Sequence, residues 1–168
     1  MIVPKPAALL AGQVLAHAIE LVSTLEDDEA MTPLGGLLRD GDVELTPLLS
    51  EEVSEDLVGH ARRMLQSKAN LEAWVLTYDN RLHGRTGVVD AIVFEIWSAR
   101  AASPVIFGQS YQPKNTGTFR LLGEPMLLSK GTKSDRAALA EALSSIREGV
   151  DLHPVAGPLW DTWFEADA

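Results

Sequence analysis

Residues 88–97 read VVDAIVFEIW, and this stretch decides the fold. It is rich in β-branched and aromatic side chains, which suit a pleated, packed strand. Successive residues of a strand face opposite sides of its sheet. Val88, Ile92, Phe94 and Ile96 therefore share one face, and Val89, Ala91, Val93 and Trp97 share the other. With both faces apolar, the strand belongs in the middle of a sheet covered on both sides.

Working outward, residues 71–78, 104–111, 118–122 and 126–129 have a similar composition and are bounded by Gly, Pro, Asn or Ser. Asp79-Asn80 and Gly84-Arg85-Thr86-Gly87 read as short turns, which favours an antiparallel meander. Apolar residues recur at steps of three and four in 7–25, in 50–68 and in 134–148, as on helices. In the last of these, Ser134 reads as the cap and Gly149 as the stop. Helices, then strands, then a helix give an α+β fold. The expected form is an antiparallel sheet of four to five strands over roughly residues 71–129. It is packed by an N-terminal helix (7–25), a middle helix (50–68) and a C-terminal helix (134–148). At 168 residues the chain is expected to be a single domain, with residues 27–47 and the aromatic tail 151–168 as its loosest parts.

Charge is distributed unevenly. Residues 26–56 carry eleven acids against Arg39 alone, which accounts for the whole net charge of −10. Glu51, Glu52, Glu55 and Asp56 suit the first turn of a helix, where they complement its dipole. The same segment would attract a basic protein partner and repel nucleic acid phosphates. The chain has no cysteine, which excludes disulfides, thiolate metal sites and cysteine nucleophiles. The apolar run after Lys5 continues through Ile19, Val22 and Leu25, as one amphipathic helix would, rather than ending at a leader cleavage site. No run reaches the ~20 apolar residues of a bilayer span, so the expectation is a cytoplasmic protein that enters no membrane.

Candidate chemistry is sparse. Asp90 and Glu95 interrupt the apolar faces of the central strand, each expected to meet an arginine such as Arg81, Arg100 or Arg120. A desolvated carboxylate of this kind is how a general acid is made, yet the two face opposite ways and cannot act as a pair. Around the first turn, Tyr78, Asp79, Arg81, His83 and Arg85 gather titratable groups, with Asp79 and His83 as catalytic candidates. Arg81, His83 and Arg85 would lie on one side of an extended segment and could hold an anion. Lys130 and Lys133 precede the last helix, another place for an anion, but the spacing of a phosphate-binding loop is missing. Asp40, Asp42, Glu44 and Glu51 fit a calcium-loop register, except that Leu45 stands where glycine is required. His17 and Glu20 have ligand-like helical spacing without a second pair to complete a site. Trp160 and Trp163 would share a helix face and either cap the core or anchor a partner.

These residues lead first to a non-enzymatic binding protein that docks a basic protein through residues 26–56, with a homodimer as a further expectation. The alternatives are a small-molecule or anion-binding enzyme at the 78–90 hairpin, and a structural subunit of an assembly. No metal or cofactor is expected in any of these readings.

Overall fold

A computed structural model describes residues 3–26, 29–47, 56–129 and 136–165. Its order is α1 (Lys5–Thr24), β1 (Leu34–Arg39), β2 (Asp42–Pro47), α2 (Leu57–Gln66), β3 (Ala73–Gly84), β4 (Gly87–Ser98), β5 (Val105–Gln112), β6 (Arg120–Leu121), β7 (Met126–Leu127), α3 (Arg136–Asp151) and α4 (Ala156–Glu165). The fold is α+β. All strand pairs are antiparallel, in the order β2-β1-β3-β4-β5-β6, with β7 also on β5.

The 88–97 stretch lies in β4, between β3 and β5. Ile92, Phe94 and Ile96 join the core beneath α1. On the other side, Trp74 and Leu76 of β3 meet Ala61 and Leu65 of α2, with Trp97 packed alongside. α1 lies on the sheet, and α3 packs on α1. By length and composition α1 could cross a bilayer, contrary to the expectation that no segment reaches that length, but 61% of its most apolar window is buried in the protein.

Among the described residues, seven strands replace the expected four to five. The additional hairpin, β1 and β2, occupies a region whose charge suggests a loop. Its turn is Asp40-Gly41, both with positive φ (51° and 80°), as a two-residue turn that follows the strand twist requires. The calcium-loop register falls away here, because Asp40 is in the turn and Asp42 and Glu44 are on a strand. Asp79-Asn80 is not a turn either. Both residues pair within the ladder, with Ile92 and Ala91, and the chain reverses only at Arg85-Thr86 between Gly84 and Gly87.

The middle helix begins at Leu57, with Asp56 as its N-cap accepting Gly59 N–H at 2.8 Å; its expected start lies outside the described residues. Gly149 does not stop α3, which runs on to Asp151. It faces Gly12 where α3 crosses α1, and a Cβ on either glycine would overlap the other helix's backbone. Within the aromatic tail, Ala156–Glu165 form a helix, α4, and Trp160 is buried in the main core.

Candidate functional site

Four places gather polar or titratable groups. The first is the β1–β2 hairpin, where β2 forms the outer end of the sheet among the described residues. Leu37 faces α2 and pairs with Glu44, so Asp42 and Glu44 stand on the α2 side of β2. Val43 and Leu45 stand on the α1 side, and all four are exposed. Glu72 is also exposed and accepts Gly41 N–H at 3.1 Å, adding another carboxylate beside the turn. The single base of the segment, Arg39, pairs across the hairpin with Asp42 and shares a shallow pocket with Asp40, Asp42 and Glu44, while its guanidinium donates to the Ala69 carbonyl at 3.2 Å. Glu51, Glu52 and Glu55 lie outside the described residues.

The second place is a cleft of about 280 Å³ beside the 78–90 hairpin, lined in part by Glu26, Glu29, Asp79, Asp90, Arg81 and Lys114. Tyr111 donates to Asp79 Oδ1 at 2.8 Å, and Arg81 stands 3.5 Å from Asp90. Asp79 is exposed as a residue, but its carboxyl end turns into the cleft. Desolvation there raises its pKa, with the neighbouring Asp90 charge adding and the Tyr111 hydrogen bond opposing. Four carboxylates against two cations make this cleft a poor host for an anion. His83 and Arg85 are exposed and do not line it. Tyr78 faces the opposite side of the sheet, and Lys130 and Lys133 lie outside the described residues.

The third place is on that opposite side. Glu95 is 2% exposed and is held by Arg62 of α2 through two hydrogen bonds, 2.8 Å to Oε1 and 2.6 Å to Oε2. Tyr78 donates to the same carboxylate at 2.9 Å. The arginine is thus Arg62, not one of the three suggested by the sequence. With both carboxylate oxygens bound by donors, three hydrogen bonds in all, and the group buried, Glu95 is built as a structural ion pair. Burial first, and then the Glu95 charge, push the Tyr78 hydroxyl from an ordinary 10.0 up to about 12. Burial and Asp79 raise Tyr111 further. Because the folded values lie above the unfolded ones, both phenols stabilise the fold fully below the unfolded value, and that contribution is lost as pH rises through the folded values. Absorbance at 295 nm should therefore find both tyrosines largely neutral in the native protein at about pH 11, and ionised after unfolding.

The fourth place was only half legible. His17 and Glu20 of α1 are completed by His153, from the loop between α3 and α4. His17 Nδ1 and His153 Nε2 are 3.2 Å apart, and Glu20 Oε2 lies 3.4 Å from His153 Nε2 and 3.8 Å from His17 Nδ1. These edges would suit a tetrahedral cation, whose N and O ligands at about 2.0–2.1 Å stand roughly 3.3 Å apart. The back of the His153 ring argues against one. Its Nδ1 accepts N–H bonds from Ala156 at 3.0 Å and Val155 at 3.3 Å, so the ring proton sits on Nε2. A metal on Nε2 would move that proton to Nδ1, against two N–H donors, whereas a ligating histidine normally donates from its far nitrogen. The cluster is arranged for a proton.

A further cavity, about 370 Å³, is mainly apolar and is lined by Leu15, Leu143, Ile146, Val150, Trp160 and Phe164 with a few polar residues. Trp160 is buried in its own chain, and Trp163 packs edge-on against Phe119. Arg147 at this cavity is held by Asp151 and by both carboxylate oxygens of Asp161. No protein-family model, curated protein or solved structure matches the chain.

Proposed function

We propose that this chain is a non-catalytic docking protein that binds a basic protein partner along the acidic segment 26–56, with the β1–β2 hairpin as the docking edge. The observation that carries this reading is the end strand β2, exposed at every residue but the half-buried Thr46, with Asp42 and Glu44 on one side and Val43 and Leu45 on the other. Such a strand can accept an extended partner segment by main-chain pairing, while its side chains select basic and apolar residues. Charged edges also prevent sheets from adding to one another, and here that favours a partner other than a second copy. Two copies paired through β2 would bring like charges together across the join, which is destabilising. A reducing, cytoplasmic setting fits a chain with no cysteine.

The test is comparative capture from the native cell extract. Asp40→Asn, Asp42→Asn and Glu44→Gln together remove three charges while keeping a residue at 40 that tolerates positive φ. Exposed pairs contribute roughly 0.2–1 kcal/mol each, so binding at low salt should weaken about tenfold, and salt should release the partner from the unaltered protein. Unchanged capture by this variant and by a second one neutralised at Glu51, Glu52, Glu55 and Asp56 would sink the reading.

A further inference from the structure

We propose that His17, Glu20 and His153 form a proton-operated latch, which holds the start of α4 against α1 at neutral pH and releases it on acidification. The latch is independent of the docking edge and lies on the α1 side of the sheet. His153 binds α4 at two points and the residue before it at a third: Nδ1 accepts from Ala156 and from Val155, and its carbonyl accepts Gly157 N–H at 3.0 Å. Its other nitrogen carries the proton and points at His17 Nδ1 and Glu20 Oε2 on α1. One neutral ring thus joins two helices that are far apart in sequence, and it does so only in one tautomer.

A second proton can enter the His153 ring only at Nδ1. There it replaces an acceptor with a donor facing two donors, and the first turn of α4 loses its side-chain cap. The groups around the ring set when this happens. From α1, Glu20 draws the proton in while His17 opposes it. At the end of α3 and on α4, Asp151 and Asp161 are both bound by Arg147. Burial is the largest influence and lowers the pKa of His153 below 6.5, with Glu20 opposing and His17 adding. A lowered folded value means that the latch contributes fully above the unfolded value, and that this contribution is lost as pH falls through the folded one. Beyond the latch, α4 is held by Trp160, Trp163 and Phe164, so acid loosens a helix whose underside is aromatic.

The test is nuclear magnetic resonance on the full chain, reading imidazole nitrogen shifts together with amide exchange in α4 relative to α3. At about pH 7.5, His153 should be the Nε2–H tautomer. As pH falls from about 7.5 through the His153 titration, the α4-to-α3 exchange ratio should rise severalfold, tracking that titration. His153→Asn, which keeps an acceptor that cannot titrate, should hold the ratio flat. Should that variant not fold, Glu20→Gln serves instead and should move the midpoint to lower pH. An Nδ1–H tautomer at neutrality, a flat ratio in the unaltered protein, or an unshifted acid response in the variants would overturn the latch. So would zinc alone, if one equivalent at neutral pH displaced both histidine signals.

Discussion

Arg62→Met should destabilise the protein by about 3–5 kcal/mol, the typical loss when one partner of a buried ion pair is removed and the other is left without compensation. Glu95 is 2% exposed and draws two of its three side-chain hydrogen bonds from Arg62. In the variant only the Tyr78 hydroxyl remains, too little for a charge cut off from water. The pair as a whole contributes far less than this loss, because Glu95 was desolvated to form it while the Arg62 side chain stays 36% exposed. Adding Glu95→Leu to Arg62→Met should therefore recover most of the stability, while Tyr78→Phe alone should cost about 1 kcal/mol. Urea denaturation of the four proteins checks this. If Arg62→Met fell within 1 kcal/mol of the unaltered protein, roughly the scale of an exposed pair, the pair would not be buried as described.

Gly12→Ala should also lose stability, although alanine is the better helix former. The propensity gain is about 1 kcal/mol. Against it, a Cβ at residue 12 would overlap the Ile146 carbonyl and come within 2.7 Å of Val150 N and 2.8 Å of Gly149 Cα. Those are backbone atoms that no rotamer change can move, so α3 would have to withdraw from α1 and give up its packing. Overpacking of this kind costs roughly 3 kcal/mol. The net loss of about 2 kcal/mol should lower Tm by roughly 4–8 °C in a domain of this size. Gly149→Ala should behave alike, and the double substitution should cost less than the sum of the two, since one separation of the helices relieves both overlaps. A rise in Tm for either single variant would place the crossing elsewhere.

These two sites also mark how far the sequence could be read. The apolar alternation of 88–97 was enough to place β4 between two strands, with one face in the core under α1. Charge misled the reading at residues 34–47. There the acids suggest a loop, yet Asp40-Gly41 between LGGLLR and DVELTP is a strong short-range hairpin signal. Gly149 reads as a stop because glycine commonly ends helices, and nothing local says that another helix crosses there. Asp79-Asn80 reads as a turn for the same local reason, although the ladder continues to Gly84 and Tyr111 reaches Asp79 from β5. Partners distant in sequence were the least legible. Arg62 lies 33 residues from Glu95, and His153 lies 136 residues from His17. Neither spacing carries a periodic signal, so only the assembled sheet and helices bring these groups together.

The measurement closest to the central claim is hydrogen exchange of the backbone with the captured basic partner bound and absent. Docking on the acidic edge predicts slowed exchange in 42–47 and its flanks within 26–56, lost as salt is raised. Protection confined instead to the 78–90 hairpin, or to α4 around Trp160 and Trp163, with β2 exchanging at its free rate, would contradict it.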